Sequence, residues 1–232
     1  MKSKRFSASG VSKHFRPFLR FVSPSKIQDF LDFSCGYNFS PFTYSPIEVL
    51  KRKKANCLDG AVFAACALRF LGQRPLLVDL RAKRDEDHVL AVYKNGRNWG
   101  AIAQSKFSGL RFREGIFPSL RALACSYFDF YYNFRGEKTL REYSLPLDLS
   151  RFDSKNWMAT KCDISFIGGE LEKVRHYKIL PNRFGKLRAV DSLEFEANAR
   201  GSGSVPLTMQ ARRPIWAKGW KRGASLGGLP KG

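Results

Sequence analysis

The longest apolar run of the chain lies before its midpoint and predicts a buried helix. Nearly every residue from Cys57 to Leu71 is apolar or small, and only Asp59 and Arg69 carry charge. Gly72 follows directly, and glycine is common just after the last turn of a helix. A helix that is apolar on most of its sides is surrounded by other elements, so we expect this one at the centre of the core.

Three shorter apolar segments follow this helix and predict an antiparallel sheet. They span residues 75–81, 88–94 and 99–104, and the sequence NGRN between the last two is typical of a tight hairpin turn. The acidic turn RDED, residues 84–87, precedes the middle segment. A buried helix followed by antiparallel strands indicates the α+β class, with the helix packed on the sheet.

The segments on either side of this core are predicted to be mainly helical. Pro46 suits the first turn of a helix, and Ser45 before it suits the N-cap. His176 is expected near a helix end, where the helix dipole favours a histidine. The predicted elements are helices within 25–33, 46–53, 117–134, 163–177 and 186–198 and an extended segment over 138–152.

The basic charge of the chain is concentrated at its two ends. The 232 residues contain 41 Lys and Arg against 20 Asp and Glu, for a net charge of +21. Residues 1–28 and residues 200–232 each hold seven basic and no acidic residues. The sequence therefore predicts a basic N-terminal arm (1–28), one domain with a C-terminal helical extension (29–199), and a disordered basic tail (200–232). Basic arms can bind nucleic acid or another anionic surface.

The cysteine content indicates reduced thiols. The number of cysteines is odd and no C-x-x-C pair occurs, which disfavours a disulfide framework and a structural zinc site. No secretory signal and no apolar run of membrane-spanning length is found, so a cytoplasmic protein without a cofactor is expected. The cysteines are Cys35, Cys57, Cys66, Cys125 and Cys162.

Cys57 and His88 are candidates for thiol chemistry. Cys57 begins the predicted central helix, and the partial positive charge at a helix N-terminus stabilises a thiolate. His88 opens a predicted strand and could accept the thiol proton. A nucleophilic cysteine paired with a histidine base is therefore predicted.

The order of these elements resembles the transglutaminase-like core of the papain-like cysteine proteases. The resemblance covers roughly residues 44–106: a cysteine at the start of a buried helix, a histidine at the start of a strand, and Trp99 in the next strand. It implies that Cys57 is the nucleophile, that His88 is the general base, and that the core is of the papain-like kind.

The third member of the expected triad departs from that pattern. Four residues after Trp99, where the family usually has an aspartate, this chain has Ala103. Gln104 and Ser105 follow, and an oxygen of either could hold the histidine ring through its Nδ1–H without supplying a charge. A modified triad, a working dyad and an inactive site all remain open.

The function expected from the sequence is thiol-dependent amide-bond processing of a peptide or protein. Hydrolysis by a peptidase or amidase and acyl transfer to an amine are both compatible with it. Two alternatives remain: a catalytically inactive transglutaminase-like binding scaffold, and a nucleic-acid-binding protein that uses its basic arms.

Overall fold

The computed structural model describes residues 12–199, in which helices pack on both faces of one large sheet. A 3-10 helix, Lys13–Arg20, precedes the first α-helix. Further 3-10 turns follow at Ser108–Leu110, Phe128–Phe130 and Leu149–Lys155. The α-helices are α1 (Pro24–Ser34), α2 (Pro46–Arg52), α3 (Cys57–Phe70), α4 (Leu120–Cys125), α5 (Phe166–Glu172) and α6 (Ser192–Ala199).

The strands form a short parallel pair and a larger antiparallel sheet. The parallel pair joins β1 (Gly36–Tyr37) to β2 (Lys54–Ala55). The antiparallel sheet has the order β6-β5-β4-β3-β7-β9, and β8 also pairs with β3. Its strands are β3 (Leu76–Ala82), β4 (His88–Asn95), β5 (Asn98–Ile102), β6 (Arg113–Phe117), β7 (Leu140–Ser144), β8 (Leu147–Asp148) and β9 (His176–Lys178).

The sheet separates two apolar layers, because alternate residues of a strand point to opposite faces. On one face Leu77 and Ala91 pack with the central helix α3, whose apolar side chains are fully buried along most of its length. On the other face Val78 and Leu90 pack with Leu123 of α4. The predicted α+β class and the central buried helix on an antiparallel sheet are both confirmed.

The central predictions agree closely with the structure. The helix beginning at Cys57 and the strands near residues 75–81, 88–94 and 99–104 are all present. The hairpin turn is made by Gly96 and its neighbour, with Gly96 at φ +59°, a conformation that glycine adopts without strain. Ser45 does precede α2, but its hydroxyl makes no cap hydrogen bond.

Two predicted helices are wrong over much of their length. The only α-helix within residues 117–134 is the six-residue α4, and a 3-10 turn follows it. The aromatic residues after α4 are held by loop contacts: Tyr127 Oη donates to the carbonyl of Arg111, and Tyr131 Oη donates to that of Glu86. Residues 163–177 contain the short α5, after which the chain pairs with β7 as strand β9.

The predicted N-terminal arm contributes to the core within the described residues. Phe18 is fully buried and stacks on Phe70 of α3, with ring centroids 5.5 Å apart. Helix α1 crosses the expected boundary at residue 28. Residues 1–11 and the predicted basic tail, 200–232, lie outside the described part of the chain. Within that part, no helix combines the length and apolarity needed to cross a bilayer.

Candidate active site

Cys57 is fixed at the first turn of α3 by a reciprocal cap. Asn56 Oδ1 accepts the backbone N–H of Asp59, and a carboxylate oxygen of Asp59 accepts the backbone N–H of Asn56. The same carboxylate accepts hydrogen bonds from Asn38 Nδ2 (2.7 Å) and from the backbone N–H of Tyr44 (2.8 Å). Asp59 therefore ties the preceding loop to the helix start, and Cys57 is half-buried there.

His88 begins β4 and is held by a main-chain carbonyl. Its Nε2 lies 2.8 Å from the carbonyl oxygen of Leu110, so Nε2 carries the proton and donates. The ring is buried, with 5% of the residue exposed. Its Nδ1 makes no hydrogen bond to any described residue. In the neutral imidazole, Nδ1 is therefore the nitrogen free to accept a proton.

The structure brings Cys57 and His88 to the same cleft. The backbone N–H of Val89, the residue after His88, lies close enough to the Cys57 sulfur to lower the pKa of the thiol, as does that of Leu58. Both candidate side chains line a cavity of about 310 Å³. The sulfur at the helix start and the imidazole at the strand start thus share one solvent-accessible space.

Burial keeps both members of this pair uncharged. Burial is the main cause that raises the pKa of the Cys57 thiol to about 11, and the nearby carboxylates of Glu86 and Asp59 add to it. Burial also lowers the pKa of His88 to about 4, although the hydrogen bond to Leu110 by itself raises it. These pKa values favour a neutral thiol and a neutral imidazole over the thiolate–imidazolium ion pair.

Gln104 and Ser105 also line the cleft, but neither contacts His88 through a hydrogen bond. The Oγ of Ser105 accepts the backbone N–H of Phe107. The amide of Gln104, in a residue 5% exposed, has no hydrogen-bond partner among the described residues. The orienting contact that we expected from one of these two side chains is made by the carbonyl of Leu110 and reaches Nε2 rather than Nδ1.

Gln28 of α1 explains why these residues reach the cleft. Its Oε1 accepts the backbone N–H of Ala103 and its Nε2 donates to the carbonyl of the same residue, at 3.0 and 2.9 Å. The pairing of β5 with β4 ends one residue earlier, at Ile102. The glutamine thus takes the place of a neighbouring strand and directs the chain after Ala103 towards the start of α3.

The remainder of the cleft is aromatic and acidic. Aromatic side chains from residues 130–134 form one wall, and Phe195 of α6 contributes to it. The acidic turn before β4 supplies Asp85, Glu86 and Asp87. Trp99, although it lies in the strand where the resemblance places it, is not among the lining residues and is covered by the ammonium of Lys94.

A second buried histidine, His176, lies on β9 instead of at a helix end. Its Nε2 is 3.0 Å from a carboxylate oxygen of Asp79, and its Nδ1 is 2.6 Å from the carbonyl oxygen of Val174. Both ring nitrogens are therefore engaged in hydrogen bonds. This pair joins β9 to β3 and leaves no nitrogen for proton exchange with a substrate.

Comparison with known proteins adds no assignment. No family model and no curated protein matches the chain. Within residues 12–199, no group of three or more His, Cys, Asp or Glu side chains is placed to hold a metal ion.

Proposed function

We propose that the protein processes amide bonds with Cys57 as nucleophile and His88 as general base. The observation that supports this most directly is that a thiol at a helix N-terminus lines the same cleft as an imidazole whose Nδ1 makes no hydrogen bond to a described residue. A nucleophile and a base within reach of one substrate position are what acyl transfer requires. The substrate class is a peptide or protein amide.

The reaction starts from the neutral pair. As Cys57 Sγ attacks the amide carbon, the thiol proton moves to Nδ1 of His88 and the carbonyl oxygen becomes an oxyanion. When the C–N bond breaks, Nδ1 returns that proton to the leaving amine, and a thioester remains on Cys57. Water or a second amine then attacks the thioester. Its proton passes through Nδ1 to the departing sulfur, which restores the thiol.

Gln104 is positioned to stabilise the oxyanion together with the backbone at the start of α3. A side chain at Gly60 would place its Cβ only 2.4 Å from Cβ of Gln104, so the glutamine lies directly against the first turn of the helix. Its amide has no hydrogen-bond partner within residues 12–199 and can donate to an oxygen in the cleft. Donors aimed at a developing oxyanion contribute about 2.7–4 kcal/mol to such reactions.

The Leu110 carbonyl orients the imidazole but brings no negative charge to it. A carboxylate in that position would stabilise the imidazolium that forms during the reaction. Because this assistance is missing, and because burial opposes the charge on His88, we expect slow turnover compared with enzymes that have a complete triad.

The test uses denatured β-casein as substrate and counts new amino termini with an amine-reactive isotopic label. Wild-type protein is expected to release termini or, with hydroxylamine present, to form hydroxamates. Cys57→Ala and His88→Gln should lose this activity, whereas Cys162→Ala, which alters an exposed cysteine outside the cleft, should keep it. Activity that survives Cys57→Ala would overturn the proposal.

The inactive scaffold is a second candidate, and the protonation states of the site favour it. A thiol pKa of about 11 and an imidazole pKa of about 4 both oppose the ion pair. A scaffold would bind peptides equally well as wild type and as Cys57→Ala, with no cleavage, no hydroxamate and no thioester on Cys57 in acid-quenched samples. A thioester detected by mass spectrometry would exclude it.

A further inference from the structure

We propose that the cleft selects peptides that carry a lysine or arginine side chain next to the attacked amide. This inference rests on the proposed function, because it names the substrate of the same site. It is supported by the carboxylates at the cleft rim, by the Gln104 amide, which has no hydrogen-bond partner among the described residues, and by the aromatic wall of the cleft.

The charge of the cleft has the opposite sign to that of the chain. Asp85, Glu86 and Asp87 all line it, in a protein of net charge +21. Asp85 accepts a hydrogen bond from Thr139 Oγ1, and Asp87 accepts the backbone N–H of Ala82. These two carboxylates are therefore partly used in holding the turn.

Glu86 is the carboxylate left for a ligand. Within residues 12–199, its side chain makes no hydrogen bond and no ion pair. Burial is the largest cause of the raised pKa of the Cys57 thiol, and the charge of Glu86 raises it further. A cation bound at Glu86 would thus lie close to the attacking sulfur and would remove part of the repulsion that opposes the thiolate.

The one cation among the described cleft residues packs on aromatic rings. The ammonium of Lys106 lies 4.4 Å from the ring centroid of Tyr37 and 4.1 Å from that of Phe39. It forms no ion pair with a carboxylate of the described chain. Glu86 is therefore not ion-paired with the basic residue of the cleft.

Gln104 is independent support for a ligand in this space. The residue is only 5% exposed, its side chain lines the cleft, and its amide has no hydrogen-bond partner within residues 12–199. An amide can donate to and accept from the main chain of a bound peptide. The carboxamide of Gln104 and the rim carboxylate together match a peptide backbone with a cationic side chain.

The aromatic wall fits the long stem of such a side chain. Phe130 and Phe134 line the cleft and are 46% and 62% exposed. Lysine and arginine bury their methylene groups against apolar surfaces while the charged end stays near water or a carboxylate. Aromatic faces also attract a cation directly.

The first experiment measures the electrical potential at Cys57 with charged thiol reagents. Trimethylammonioethyl and sulfonatoethyl methanethiosulfonate both form a disulfide with the thiolate and release methanesulfinate, and they differ in charge. Because any thiolate favours the cationic reagent, the measured quantity is the ratio of the cationic to the anionic rate at Cys57 divided by the same ratio at Cys162, which is exposed and next to Lys161. This quotient should be roughly ten and should fall in 1 M salt.

Glu86→Gln should reduce the ratio of the cationic to the anionic rate at Cys57. Glu114 is an exposed carboxylate outside the cleft, so Glu114→Gln should leave that ratio unchanged. A preference for the cationic reagent at Cys57 that does not exceed the preference at Cys162 would overturn the inference. A Cys57 that reacts with neither reagent in the native protein would instead overturn the proposed function. The two failures are therefore distinct.

The second experiment measures binding without chemistry. Peptides that differ only in a central lysine, norleucine or glutamate are titrated calorimetrically into Cys57→Ala protein. The lysine peptide should bind roughly tenfold more tightly than the norleucine peptide, and Glu86→Gln in the same background should abolish the difference while Glu114→Gln keeps it. Equal affinities, tighter binding of the glutamate peptide, or no binding of the lysine peptide would refute the selection of a cation.

Discussion

Acidification should destabilise the protein through His88, by an amount that can be worked out from its burial. The imidazole is buried and its pKa falls to about 4 in the folded state, from an ordinary value of 6.5. Between these values the unfolded chain binds a proton that the folded protein does not. Stability from this group is therefore fully present above about pH 6.5 and is lost as the pH falls through about 4.

The size of the effect follows from the shift. One pKa unit corresponds to about 1.4 kcal/mol, so the whole shift corresponds to about 3 kcal/mol of unfolding free energy. Roughly 2.5 kcal/mol of this should be lost between about pH 7.5 and pH 4.5. That loss is a large fraction of the 5–15 kcal/mol typical of folded domains.

The assay is equilibrium unfolding in urea, followed by tryptophan fluorescence, to which the fully buried Trp157 contributes. The quantity of interest is the unfolding free energy of wild type minus that of His88→Gln, because the contributions of the carboxylates cancel in this difference. It should decrease by roughly 2.5 kcal/mol from about pH 7.5 to about pH 4.5. His14→Gln controls for the replacement of an exposed imidazole.

A difference that stays constant over this range would refute the reasoning, because it would mean that His88 takes up its proton equally well in both states. A difference that grows on acidification would show that the folded state favours the imidazolium. In that case the site would hold an ion pair after all, and the neutral resting pair would have to be abandoned.

Two further predictions concern how the cleft is held in shape. Gln28→Leu leaves two main-chain groups without partners and should lower the free energy of unfolding by about 2–4 kcal/mol. Gln73→Leu removes a similar pair of contacts at the far end of β4 and should lower it by a similar amount. Only the first should change the rate at which Cys57 reacts with iodoacetamide, and equal effects of the two variants on that rate would contradict the role of Gln28. Gly60→Ala should destabilise the protein by about 1–3 kcal/mol because the new Cβ would overlap the Gln104 side chain. A Cβ at Gly169 in α5 would meet no described atom within 4 Å, so Gly169→Ala should be neutral or stabilising by up to about 1 kcal/mol. Thermal unfolding of both alanine variants checks this. A melting temperature of Gly60→Ala equal to that of the wild type would refute the close packing.

The parts of the fold predicted from sequence were those with a strong local signal. The apolar run from Cys57 to Gly72 and the hairpin at Asn95–Asn98 carry their structure in neighbouring residues. The aromatic stretch 117–134 does not, because its tyrosines are fixed by carbonyls of distant loops. In this stretch, tertiary contacts determine the structure and override the local preference for a helix.

The candidate site shows the same division. The start of a helix and the start of a strand place Cys57 and His88, and both starts are visible in the sequence. Gln28 and Leu110 were missed. The glutamine acts on a segment 75 residues away, and every residue has a carbonyl, so no residue type marks the position that orients the imidazole.

The main-chain contact to His88 has a consequence for genetics. Every amino acid at position 110 would present the same carbonyl oxygen, so no codon change there deletes the acceptor, and a saturation screen would report only on packing. The contact can be moved only by displacing the turn, for instance through Asn198, whose Oδ1 accepts the backbone N–H of Gly109 at 2.6 Å. Tolerance to substitution at this position would therefore say nothing about whether catalysis depends on it.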